Sequence, residues 1–147
     1  MTWLRILFAV GTLAYWGTLF YLTHLPPERV TIPGRFTDKE LHFAAYAALS
    51  LALGMTLLVT LPRTRWIPLY LVAIGMAYGA IDERTQLFVG RSCELGDWLA
   101  DVAGASAAAF VIFIVQLFVR SRPLPVGRQL MAGFDGIVPA TAAGEAR

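Results

Sequence analysis

Three short stretches hold most of the side chains that could do chemistry. Asp38, Lys39, His42 and Tyr46 lie in DKELHFAAY. Asp82, Glu83, Arg84 and Gln86 lie in DERTQ, with Arg91 following in the next loop. Asp97 and Asp101 lie in DWLAD. On a helix, Asp38, His42 and Tyr46 are spaced i, i+4, i+8 and share a face, as do Tyr78, Asp82 and Gln86. Asp97 and Asp101 are one turn apart. A histidine beside a carboxylate is an acid/base pair when their pKa values are set apart, and His42, Asp82 and Glu83 are the candidates. Asp82, Glu83, Asp97 and Asp101 could hold a divalent cation for phosphoryl chemistry. Lys39, His42 and Arg91 suit phosphate or carboxylate, and the acidic groups suit sugar hydroxyls or amines. The candidate ligand-binding set is therefore Asp38, Lys39, His42, Tyr46, Asp82, Glu83, Gln86, Arg91, Asp97 and Asp101.

The charges of this set do not balance. Asp38, Asp82, Glu83, Asp97 and Asp101 face Lys39, Arg84, Arg91 and a titratable His42. Crowded like charges cannot all ionise cheaply, so the layer calls for a retained proton or an added cation. Arg91 is expected to close over the group from its loop in a bidentate contact. A plainer alternative stands beside this. Charged residues at helix ends often snorkel to water or cap helices, and Asp38 and Asp97 are both suitable N-caps. Asp82 and Glu83 are harder to explain that way, because they sit at a helix C-terminus where the dipole disfavours them.

The elements that must position these groups are membrane spans. The chain has 147 residues, 57% hydrophobic and only 15% charged, against about 25% charged in soluble domains. Its mean hydropathy is +0.62. A bilayer core takes about 20 mostly apolar helical residues. Four segments fit or nearly fit: about 3–23, 41–61, 66–86 and 98–119. The third is apolar only to Ile81, so its polar end belongs at an interface. The first is longer than a signal-peptide core and no A-x-A-like cleavage site follows, so it is read as a retained span. The expected fold is an all-α membrane protein, a compact bundle of four transmembrane helices over residues 1–120. Residues 121–147, rich in Gly, Pro and Ala, read as a flexible cytoplasmic tail.

Four spans put both termini on one side. That side holds Arg5, Arg63, Arg65, Arg120, Arg122, Arg128 and Arg147. The other holds Arg29, Arg35, Lys39, Arg84 and Arg91, with eight of the ten acidic residues. The basic excess near span ends favours cytoplasmic termini, and the polar layer then faces outward. Small residues recur every fourth position at Ala44, Ala48 and Ala52, at Gly75 and Gly79, and at Ala100, Gly104 and Ala108. Such faces let helices approach closely and offer surfaces for oligomerisation. Cys93 is the one cysteine, read as a passive side chain. No cofactor motif is present beyond the possible divalent cation, and nothing points to nucleic acid, nucleotide or haem.

DKELHFAAY, DERTQLFVGR and DWLADVAGA, in this order and spacing, resemble the VanZ-like family over about residues 38–109. Two departures stand out: Asp101 takes the place of the family's usual Asn, and the loop before Arg91 is one residue shorter and lacks a proline. The resemblance implies a small protein of the bacterial cytoplasmic (inner) membrane. It also implies a link to low-level resistance to teicoplanin, a lipid-tailed antibiotic that acts at the outer membrane face on cell-wall precursors. Four functions follow. The first is an outward-facing pocket that binds a lipid head group or lipid-linked envelope precursor. The second is a membrane enzyme acting on such a head group. The third is a small carrier. The fourth is a structural protein whose polar site only locks the bundle.

Overall fold

A computed structural model describes residues 2–29, 34, 36–62 and 64–120. They form four helices: α1 (Thr2–Thr23), α2 (Asp38–Thr60), α3 (Ile67–Gln86) and α4 (Leu95–Arg120). Short 3-10 turns follow α1 at Pro27–Arg29 and α3 at Leu87–Val89. No strand occurs among the described residues. The first contact unit runs to Gln116; beyond it the described chain is the last turn of α4. The proposed tail, 121–147, and the orientation-bearing Arg35 and Arg63 lie outside the described residues.

Helices α1, α2 and α4 are long and apolar enough to cross a membrane. α3 has the length, with 20 residues, but its end carries Asp82, Glu83 and Arg84. The helix starts correct the capping expectation. Thr37, not Asp38, is the N-cap of α2: its hydroxyl accepts from Glu40 N–H at 3.3 Å, and Glu40 Oε2 accepts from Thr37 N–H at 2.8 Å. A Thr with Glu three residues on satisfies two orphan donors at once, which Asp38 could not do here. Asp97 is not a cap either. α4 starts two residues earlier, and the Glu94 carbonyl accepts from Asp97 and Trp98 N–H at 3.1 and 3.3 Å. Both aspartates are thus released for other contacts.

Packing differs along the bundle. At the Ile67 end, α3 and α4 bury Ile67, Leu71, Ala109 and Ile112, with Leu53, Leu57 and Leu58 of α2 against them. Gln116 Nε2 donates to the Thr64 carbonyl at 2.8 Å. Nearer the other end, Leu19, Tyr46 and Leu49 pack with Tyr15, Trp16 and Tyr78. Glycine brings the backbones together: a Cβ on Gly104 would overlap the Phe43 carbonyl of α2, and one on Gly75 would fall 2.5 Å from Ala105 Cβ. Close packing of this kind drives helix association in lipid. The α2 contact face is not the predicted one. Ala44 and Ala48 are exposed and Ala52 is half-buried, while Gly54 is buried against Ile112. The helix turns His42, Tyr46 and Leu49 inward instead, and that rotates the alanine stripe out. α1 buries only Thr12 and Leu19 and exposes Trp3, Ile6, Leu7, Val10 and Leu13, a surface suited to lipid.

Candidate functional site

The first turns of α2 and α4 and the last turn of α3 meet at one end. Their polar groups sort into three sets. The outermost is a rim. Lys39 Nζ donates to Asp97 Oδ1 at 3.0 Å and to Glu94 Oε2 at 3.1 Å. The Lys39 hydrogen bond, then one from Ser92, holds the Glu94 carboxyl below its ordinary range. Lys39 and Glu94 are half open to solvent, so each gains only modestly from the contact.

The second set is buried. His42 Nδ1 and Asp101 Oδ1 are 2.9 Å apart, with the histidine side chain 6% exposed and the aspartate 0%. Glu83 Oε2 accepts from Glu94 N–H at 2.9 Å. That bond gives Glu83 the specific partner its position called for. The other oxygens, Asp101 Oδ2 and Glu83 Oε1, are buried and accept no hydrogen bond, and the Tyr46 and Tyr78 hydroxyls are in the same condition. Those two tyrosine rings stack, with centroids 5.6 Å apart. One ligand atom each from His42, Glu83 and Asp101 lie within 4.8 Å of one another, and so do one each from Asp38, His42 and Asp97.

The third set joins α1 to α3 and centres on Asp82. Thr23 Oγ1 donates to Asp82 Oδ1 at 3.0 Å, and Gln86 Nε2 donates to Oδ2 at 3.1 Å. His24 lies beside them, with Nδ1 3.7 Å from Asp82 and Nε2 2.9 Å from Thr85 Oγ1. The four carboxylates read together as a cation set are therefore divided. Asp82 turns to α1, Asp97 bonds Lys39 and borders His42 with Asp38, and Glu83 and Asp101 gather at His42. The reason is helical geometry: adjacent residues point about 100° apart, so Asp82 and Glu83 face different neighbours.

Arg91 arrives by a turn. Gly90 takes a left-handed conformation, φ +79°, which glycine adopts without a Cβ clash, and Arg91 N–H donates to the Gln86 carbonyl at 3.2 Å. Its guanidinium Nη2 stands 3.5 Å from Asp38 Oδ2. This is one long contact to a single carboxylate, in place of the bidentate clasp over the group. A cavity of about 380 Å³ lies between α1 and α2 beside Arg91. Leu19, Leu22, Leu25, Leu41 and Ala45 form its apolar wall. Arg29, Arg91, Asp38, His42, Thr23 and Tyr46 supply its polar lining. A second cavity, about 360 Å³, touches Glu83, Arg84, Cys93, Glu94 and Trp98.

The VanZ/LLP1 family profile matches residues 7–118. The chain belongs to that family. No curated protein and no solved structure matches it. In this VanZ/LLP1 protein, the three polar stretches supply Lys39, Asp97 and the buried set, whereas Glu94, Thr23, His24 and Arg29 were not among the candidate site residues. A signal for Thr23 and His24 existed. The first span ends at the level where the polar groups of the other three gather, and it ends on Thr-His.

Proposed function

We propose that this VanZ/LLP1 protein is a four-pass protein of the bacterial cytoplasmic membrane, with both termini inside and the polar end facing outward. There it binds the head group of a membrane lipid or lipid-linked envelope precursor. The observation that carries this reading is the two-sided lining of the larger cavity. A leucine wall runs along α1 and α2, and two arginines and a histidine stand at its polar end. An acyl chain suits the first and a phosphate or carboxylate the second. α3 makes the fourth pass, with Asp82, Glu83 and Arg84 at the interface. Glycopeptide resistance follows if the ligand is a cell-wall precursor or the antibiotic's own lipid-bearing body. The shared chemistry is an amphiphile with an anionic head.

Native mass spectrometry of the full chain in mild detergent tests the ligand. Wild type is expected to carry a phospholipid or envelope precursor that Arg29→Ala/Arg91→Ala loses. A ligand-free wild type overturns the reading. Orientation is tested by membrane-impermeant thiol labelling of intact cells. Cys93, exposed at the polar end, is expected to react, and Arg65→Cys in a Cys93→Ser background is not. The reverse pattern inverts the topology.

A second reading, an enzyme acting on the same head group, is favoured by one feature. Asp101 holds His42 Nδ1 while His42 lines the cavity, the arrangement of an oriented general base. Bound lipid that is retained by His42→Gln but no longer converted selects this reading.

A further inference from the structure

We propose that His42, Glu83 and Asp101 form a buried site for one divalent first-row transition-metal ion. The site stands on its own observations and does not depend on the lipid reading. Each of three helices contributes one ligand: α2 its His42, α3 its Glu83, α4 its Asp101. Side chains from facing helices are the usual way a bundle core builds a metal centre. One ligand atom of each is within 4.8 Å of the others, and all three residues are buried.

Two lone-pair-bearing oxygens point to an occupant. Asp101 is 0% and Glu83 2% exposed, yet Asp101 Oδ2 and Glu83 Oε1 accept no hydrogen bond. Buried acceptors are almost always satisfied. Two of the nearby cations are engaged elsewhere: Lys39 with Glu94 and Asp97, Arg91 with Asp38. The two carboxylates bring two negative charges to the group, which one dication matches. The fold leaves room for the aspartate. Gly79 stands one turn before Glu83 on α3, and a Cβ there would fall 3.0 Å from Asp101 Oδ2.

The donor set selects the kind of ion. Calcium and magnesium prefer shells made wholly of oxygen, whereas an imidazole with two carboxylates suits manganese, iron or zinc. The Tyr46 hydroxyl, buried and without a hydrogen-bond partner, is a further polar group inside this end of the bundle. Asp101 thereby gains a role: it supplies an anionic oxygen to the group.

The test uses the full chain in detergent, stripped with a chelator, dialysed and titrated with Mn²⁺ under electron paramagnetic resonance. The expected result is one bound Mn²⁺ per chain, showing nitrogen hyperfine coupling from an imidazole. Glu83→Gln and Asp101→Asn should each weaken binding by at least about tenfold, and Glu28→Gln, an exposed carboxylate outside the group, should not. Wild-type binding no greater than a detergent blank overturns the proposal. So does a signal without nitrogen coupling, or binding that survives Glu83→Gln. Should Asp101→Asn fail to insert, Glu83→Gln and the wild-type coupling decide. Because lipid is read separately by mass spectrometry, a missing metal leaves the ligand reading standing, and a missing lipid leaves the metal.

Discussion

The two ends of the bundle solve the same packing problem with opposite materials. At one end α3 and α4 close around Ile67, Leu71, Ala109 and Ile112. At the other, the same helices and α2 close around His42, Glu83 and Asp101. Glycine contacts bring the helices together along the way, at Gly54, Gly75 and Gly104. The apolar end shows that this fold can bury its helix faces without charge. Replacing a buried ion pair by apolar residues is often neutral or stabilising. Packing alone therefore does not call for the charges at the polar end.

That comparison can be broken most forcefully at Asp101. Asp101→Leu leaves His42 buried without its partner, and loss of one member of such a pair costs about 3–5 kcal/mol. Thermal unfolding in detergent is expected to show that loss. The double variant His42→Leu/Asp101→Leu should recover most of it while metal binding stays absent. If the double variant is as unstable as the single one, the buried pair is structural and the contrast between the ends collapses.

The next effect belongs to the apolar end. Ile112 is 1% exposed and fills the space beside Gly54. Ile112→Ala should cost about 2–4 kcal/mol through lost contacts and a cavity, with Mn²⁺ affinity and co-purified lipid unchanged. A fall in either binding signal would mean the two ends are coupled. The smallest effect is expected at the rim. Glu94→Gln breaks the half-exposed pair with Lys39, and screened pairs of this kind contribute little. The unfolding midpoint should stay within experimental scatter. A large drop would place the rim with the buried set.

The sequence by itself determined the helices and their level. Apolar length and helical period are local properties, so four helices fall close to their expected spans. Thr2–Thr23, for example, coincides with the first span to within a residue. The three polar stretches, likewise local, named His42, Glu83, Arg91 and Asp101 as candidates. Only the tertiary structure decided the pairings. Asp82 and Glu83 are neighbours in sequence, yet one bonds Thr23 of α1 and the other the Glu94 backbone before α4. The alanine stripe of α2 faces out because Tyr46 and Leu49 turn in. Such choices depend on each helix's rotation about its axis and its height against its neighbours. Contacts between residues far apart in the chain, such as Gly104 against Phe43, set both. No window of sequence contains them.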